Sequence, residues 1–206
     1  MKRLLIFALA AGALLAFGHA CDAGPFDPPA MRDWRVGLGF GLGAASINQT
    51  AGGSFDARDG MSPRYNIQRR VSDRLLLGVC DEAWLTERGG TDSLRIRRSM
   101  HNYNFIATWY PGSLKNAWST FYVRGGIGLG TGRYNEVVPD EKGEDASHVA
   151  TDMSGLGGHI GVGYDFSMTP TVTFGVLATQ DFVNLGGPVF DDGWYRQVSV
   201  NLGWSF

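Results

Sequence analysis

The sequence predicts an all-β protein: one eight-stranded antiparallel up-and-down transmembrane β-barrel, preceded by a cleavable signal peptide. Three observations predict this fold class. Apolar residues alternate with small or polar ones in eight stretches after Asp33, as they do in strands with two different faces. Glycine supplies 30 of 206 residues, about twice the usual share of roughly 7%. The connections between the stretches are alternately short and long, as in bacterial outer-membrane barrels.

The first residues have the plan of a secretory signal peptide. Two basic residues precede an apolar run that ends at Phe17, and small residues up to Ala20 supply a cleavage site. We therefore expect residues 1–20 to be removed on export. Residues 21–32, rich in proline, are expected to form a periplasmic segment, and residues 33–206 the barrel.

The eight alternating stretches give the predicted strands. In chain order these are about Trp34–Ser46, Ser62–Val71, Leu75–Leu85, Met100–Tyr110, Ser119–Gly132, Ser154–Phe166, Thr171–Phe182 and Val198–Phe206. The third has the least clear alternation, because Asp81 falls on the face that carries Leu77 and Val79. An even number of strands returns both termini to the side of the short turns, which we expect to be periplasmic.

The two faces of these strands differ in chemistry. Gly, Ser, Thr and Asn dominate one face, which has too few Lys and Glu for a water-facing surface. Small residues fit the narrow interior of an eight-stranded barrel. The apolar face is therefore expected to meet lipid, with aromatic girdles at both membrane interfaces. The aromatic residues placed on that face are Trp34, Tyr65, Trp84, Trp109, Phe121, Phe166, Trp194 and Phe206.

A few large polar side chains fall on the inward face. They are expected to neutralise one another and to block a continuous path through the lumen. The predicted lumen cluster comprises Arg64, Arg70, Arg124, Asp165 and Asp181, with Glu82 as a further candidate.

The segment from Asp33 to Phe206 resembles the small eight-stranded outer-membrane barrels, a broad family that includes OmpX-like and opacity-type surface proteins and the OmpA transmembrane domain. The stretches that carry the likeness are VGLGFGLGAAS, FYVRGGIGLGTG, GGHIGVGYDF and the terminal VSVNLGWSF. The resemblance implies an integral outer-membrane protein of a Gram-negative bacterium. It also implies that the terminal strand is the signal that engages the barrel-assembly machinery during insertion. The residues of that signal are Val198, Val200, Leu202, Trp204 and Phe206.

Composition limits the function. A formal net charge of −2 without a basic stripe excludes a nucleic-acid-binding protein. No catalytic group and no cofactor is expected, and no cysteine spacing indicates a metal site. We expect contacts with outer-membrane lipid and lipopolysaccharide, and with a host or envelope protein through the long loops. Arg95, Arg97 and Arg98 in the second long loop are the candidate partners of lipopolysaccharide phosphates.

Two alternatives to a non-enzymatic envelope or surface role stay open. A lipid A-modifying enzyme would need a Ser or His beside a carboxylate at the rim of the lipid side, where His101 is the best candidate. Deacylases among the eight-stranded barrels have a His-x-Ser pair, however, and this chain has Tyr103 where the serine of that pair would be. The other alternative is a narrow channel for small solutes.

Overall fold

The computed structural model describes residues 33–50, 52–89, 95–111, 119–139, 145–169, 171–187 and 190–206. These residues contain eight strands: β1 (Trp34–Gln49), β2 (Ser54–Ser72), β3 (Leu75–Gly89), β4 (Arg95–Trp109), β5 (Ser119–Pro139), β6 (Asp145–Ser167), β7 (Val172–Asn184) and β8 (Phe190–Ser205). Within the described ranges, no helix is long and apolar enough to cross a membrane.

The eight strands form one closed antiparallel sheet in chain order, which confirms the predicted eight-stranded up-and-down barrel. Closure joins the first strand to the last. The backbone N–H of Trp34 donates to the carbonyl of Phe206 at 3.1 Å, and the N–H of Phe206 donates to the carbonyl of Trp34 at 3.0 Å. The ordered C-terminal strand is therefore a requirement of the fold, because without it β1 and β7 would each keep an unpaired edge.

The barrel has a stagger of ten residues. The path starts at Val36 and moves from each residue to the residue directly opposite it on the next strand, from β2 to β8. It returns to β1 at Ser46, ten residues further along the chain. With strands about 4.8 Å apart and about 3.3 Å per residue, this stagger tilts the strands by roughly 40° from the barrel axis. The tilt brings residues far apart in sequence to the same height inside the barrel.

The outer surface carries the apolar residues of the alternating stretches. Leu42, Phe105 and Ile127 are 67–68% exposed, although they are large and apolar. The residues predicted as an insertion signal, four in β8 and one just after it, are also exposed: Val198, Val200, Leu202, Trp204 and Phe206. An apolar surface that surrounds the sheet is the face that a membrane barrel presents to lipid.

The prediction that Trp84 belongs to the lipid-facing aromatic residues is wrong. Its side chain is fully buried inside the barrel, whereas Trp34, Tyr65, Trp109 and Phe121 are exposed outside. In β3 the inward positions are the even-numbered ones, which carry Leu76, Cys80, Glu82 and Trp84. The outward positions include Leu77 and Val79, as predicted, and also Asp81.

The strands extend further than predicted at one end of the barrel. We call the end where β2, β4 and β6 finish, and where Asp33 and Phe206 lie, the turn end, and the opposite end the loop end. At the loop end β5 and β6 remain paired up to Pro139 and Asp145, where the sequence predicted a long loop. Arg95, Arg97 and Arg98 likewise lie in β4 and not in a loop. Beyond the apolar band the strands lose their alternating pattern, because neither face there has to meet lipid.

Candidate functional site

The middle of the barrel interior is filled by a charged and polar network centred on Arg64. Arg64 and Glu82 are both fully buried and form an ion pair between the guanidinium Nε and a carboxylate oxygen. Arg64 also donates hydrogen bonds to Ser199 at 3.0 Å and to Thr179 at 3.2 Å. The Thr179 hydroxyl in turn donates to Asp181 at 3.1 Å. These contacts connect β2, β3, β7 and β8 across the lumen.

Asp181 supplies the second carboxyl group of this network. Its carboxylate accepts hydrogen bonds from Asn102 at 3.3 Å and from Gln197 at 3.2 Å. Its carboxyl group also lies beside that of Glu82. Buried charges are tolerated when they are paired and hydrogen-bonded, and this network supplies partners from five strands.

Two other residues of the predicted lumen cluster, Arg124 and Asp165, are buried inside the barrel, but their contacts lie outside the network around Arg64. Arg124 is buried, donates to the Thr108 hydroxyl at 3.0 Å and lies over the Tyr122 ring. Asp165 pairs with Arg35 at 2.7 Å, near the turn end.

Arg70 lies outside this interior network. It is partly exposed at the turn end and pairs with Asp33 at 3.3 Å. The predicted set is therefore divided among separate contacts. The sequence analysis did not include Arg35 in the lumen cluster, although Arg35 lies on the same face of β1 as the inward-facing glycines.

Two apolar clusters lie above and below the polar network. The cluster at the loop end consists of Ala45, Ile47, Trp84, Met100, Met153, Val183, Leu185 and Tyr195. The cluster towards the turn end consists of Leu76, Tyr110, Tyr122 and Leu177. Most of these side chains are completely buried. The described interior is therefore packed with side chains at three levels, as expected for a barrel of only eight strands.

Three side chains of types that can bind metal ions lie close together within the central level. Cys80 and Glu82 alternate on β3 and both point inward, and His159 reaches them from β6. The Nδ1 atom of His159 lies 3.9 Å from Cys80 Sγ and 3.7 Å from Glu82 Oε2. One donor atom from each of the three residues lies within 4.8 Å of the others. The expectation of no metal site considered cysteine spacing alone and missed this group.

A second polar group lies on the outer surface. The Nδ1 atom of His101 is 3.3 Å from a carboxylate oxygen of Asp81, and the two side chains are 31% and 34% exposed. The imidazole is nearly parallel to the Tyr103 ring, with centroids 5.9 Å apart. His101 also borders a groove of about 440 Å³ that Ser99 and Arg133 help to line. His101 lies on the outer face, where the sequence analysis placed it. Asp81 supplies a neighbouring carboxylate that the sequence analysis had not paired with His101.

The loop end carries paired charges. Arg133 donates to both carboxylate oxygens of Asp152, at 2.6 and 3.0 Å, and these hydrogen bonds lower the pKa of that carboxyl. Arg97 donates to Glu87 at 3.0 Å, and both are exposed. Arg98 differs from Arg97, because it is buried and lies over the Tyr134 ring. The side chain of Arg95 lies outside the described part of the structure.

Comparisons with known proteins agree on the architecture. No protein-family model matches the chain, and no curated protein matches it. Among solved structures, Neisserial surface protein A (NspA) is 15% identical with a TM-score of 0.53, over 84% of this chain and 97% of that one. Ail, the attachment invasion locus protein of Yersinia pestis, was solved in complex with the heparin analogue sucrose octasulfate. It is 12% identical with a TM-score of 0.53, over 84% of this chain and 99% of that one.

The protein has the fold of the small eight-stranded outer-membrane barrels. At 12–15% identity these likenesses establish the fold alone, and the function has to be argued from the residues described above.

Proposed function

We propose that the protein is an integral outer-membrane barrel with a non-enzymatic role in envelope structure or surface interaction. It is exported with a signal peptide, is inserted by the barrel-assembly machinery through its terminal strand, and keeps both termini in the periplasm. The observation that carries this proposal is the inverted distribution of side chains. Apolar residues cover the outside, while a charged network is buried inside. A water-soluble barrel has the reverse arrangement.

The packed interior favours a structural or contact role over transport. Ion pairs, polar side chains and two apolar clusters occupy the described lumen at successive heights. The surface left for partners is the loop end, with exposed charges such as Arg97, Arg133 and Asp152. Lipopolysaccharide and neighbouring or host proteins are the partners that such a surface would meet outside the cell.

The orientation in the membrane can be tested with two single introduced cysteines. The chain has 2 native cysteines, and Cys21, the first residue after the predicted cleavage site, is replaced by serine in this background. Thr50→Cys lies at the loop end and Ser72→Cys at the turn end, and both positions are exposed. We expect a membrane-impermeant maleimide to label Thr50→Cys in intact cells and Ser72→Cys only after the outer membrane is permeabilised. The parent chain is the control for Cys80, which is buried. The opposite labelling pattern, or extraction of the protein by water without detergent, would refute the proposal.

A lipid A-modifying enzyme is the second candidate, because Asp81 and His101 form an acid–base pair on the surface that we assign to lipid. In such an enzyme Asp81 would orient the imidazole, and the hydroxyl of Ser99 in the adjoining groove would be the nucleophile to test. Ionisable side chains on a lipid-facing surface are costly, and they often mark a function.

Mass spectrometry of lipid A separates the two candidates. We expect cells producing the wild-type protein or His101→Ala to have the same acylation pattern as cells without the protein. Gln180→Ala is the matched control, because Gln180 is another outward polar residue, paired with Arg196 at 2.9 Å. Loss or gain of an acyl chain with the wild type and with Gln180→Ala, but not with His101→Ala or Asp81→Asn, would establish the enzyme instead.

A further inference from the structure

We propose that Cys80, Glu82 and His159 form an interior binding site for one divalent transition-metal ion of the zinc type. The site lies in the central level of the barrel and joins β3 to β6 across the lumen. It is independent of the loop-end surface and of the outer Asp81–His101 pair.

The separations between the donor atoms suit a small ion. Metal–ligand bonds of about 2.0–2.3 Å in tetrahedral geometry place neighbouring ligand atoms roughly 3.3–3.6 Å apart. His159 Nδ1 lies 3.9 Å from Cys80 Sγ and 3.7 Å from Glu82 Oε2. The third separation, between the donor atoms of Cys80 and Glu82, is at most 4.8 Å. Side-chain movements of up to about 1 Å therefore bring all three atoms into bonding distance of one ion.

The surroundings of Cys80 are unusual for a cysteine without a ligand. A buried thiol normally packs as a small apolar group. Cys80 instead lies directly opposite Asn66 on β2 and Asn104 on β4, and all three side chains are buried. A soft sulfur donor among nitrogen and oxygen donors is a donor set preferred by Zn²⁺ and neighbouring transition metals over Ca²⁺ or Mg²⁺.

Unsatisfied polar atoms at the same place are a second observation in favour of a ligand. The Arg64 guanidinium faces Oε1 of Glu82 as an ion pair, and the Asp181 carboxyl lies beside the Glu82 carboxyl. Neither carboxylate oxygen of Glu82 has an N–H donor with hydrogen-bond geometry, so Oε2, the oxygen that faces His159, can bind a metal ion while Oε1 stays with Arg64. Buried polar atoms in native proteins usually have partners, and an ion is one explanation for those that lack them.

Asn104 supplies a fourth ligand. Its amide nitrogen lies 3.2 Å from His159 Nδ1, and its Oδ1 atom is buried without a partner. Rotating the amide by 180° exchanges these two atoms, and it places a carbonyl oxygen beside the site. The ligand set is then one sulfur, one nitrogen and two oxygens.

The charges around the site accommodate the ion. Binding releases the thiol proton of Cys80 to solvent, because the thiolate is the form that binds metal. The new thiolate offsets one positive charge of the ion, and the Glu82 carboxylate, which is paired with Arg64, lies at the same place. Since the apolar clusters lie above and below this level, we expect the ion to enter while the chain folds.

Cobalt substitution tests the site directly. The Cys21→Ser chain is isolated from membranes, unfolded, and refolded in detergent with Co²⁺, and free metal is then removed with a chelator and a desalting column. We expect one Co²⁺ per chain and a thiolate-to-cobalt charge-transfer band in the near ultraviolet. Cys80→Ala should lose the band and the retained metal. His101→Ala, which removes an outer histidine, should keep both.

Folding of each variant is checked by the shift in gel migration on boiling, so that a loss of metal is not confused with a loss of structure. Cys80→Ala removes little volume, and Asn104→Ala provides a second variant that weakens the site without touching Arg64. No retained cobalt in the folded parent would refute the proposal. So would cobalt that is retained without the charge-transfer band, or equally well by folded Cys80→Ala.

Discussion

Replacing Arg64 by leucine is expected to lower the free energy of unfolding by about 3–5 kcal/mol, the usual cost of leaving a buried charge without its partner. Glu82 would lose the guanidinium that faces it, in an interior where both side chains are fully buried. Ser199 and Thr179 would lose a donor as well. The measurement is urea unfolding in detergent, followed by tryptophan fluorescence in the presence of a chelator so that no metal ion compensates for the missing charge.

Two further variants show whether the effect belongs to the buried pair. Arg97→Leu removes an arginine from the exposed Glu87 pair, and it should change the free energy of unfolding by no more than about 1 kcal/mol. The double variant Arg64→Leu/Glu82→Leu should be more stable than Arg64→Leu alone, because no unpaired carboxylate remains. A double variant less stable than Arg64→Leu would show that Glu82 is held mainly by groups other than Arg64.

Trp84→Ala is expected to lower the free energy of unfolding by about 3–5 kcal/mol, as for other large buried aromatic side chains. The indole is fully buried in the loop-end apolar cluster, and its removal leaves a cavity among Met100, Met153 and Tyr195. Trp109→Ala, on the exposed outer face, should cost distinctly less because detergent fills the space. The same unfolding assay compares the two variants.

The inward position of Trp84 also predicts a partial rescue. A Cβ atom at Gly60 would overlap the indole ring of Trp84, so Gly60→Val should be destabilising in the wild-type background. In the Trp84→Ala background the valine enters vacated space, and its cost should shrink. If Trp84→Ala were no more costly than Trp109→Ala, Trp84 would face the detergent, as the sequence alone had predicted.

The architecture could be predicted because the apolar band imposes a strict pattern. In β1 and β8 glycine or polar residues alternate with exposed apolar ones, and no other arrangement fits a lipid-facing sheet with a packed interior. β3 was harder, since Leu75, Leu76 and Leu77 are consecutive apolar residues and Asp81 interrupts the outer face. That ambiguity is why Trp84 was placed on the wrong side.

The interior contacts could not be predicted from parity alone. Alternation places Cys80, Glu82 and His159 inside, but the height at which β3 faces β6 depends on the stagger of ten residues, which no local pattern encodes. For the same reason Asp165 was grouped with Arg64, although the fold pairs it with Arg35. The alternation along each strand predicts which side chains point into the lumen. The register between neighbouring strands decides which of those side chains come into contact.

The long β5–β6 pair has a mechanical consequence. Pairing of β6 with β7 begins at Leu156, whereas its pairing with β5 continues to Asp145. Met153 still packs in the loop-end apolar cluster, so residues 145–152 extend beyond the packed interior as ~26 Å of strand paired with β5, at about 3.3 Å per residue. A paired ribbon of this kind resists bending far more than a loop of equal length, so it would hold its outer end, at Pro139 and Asp145, at a fixed distance from the apolar band.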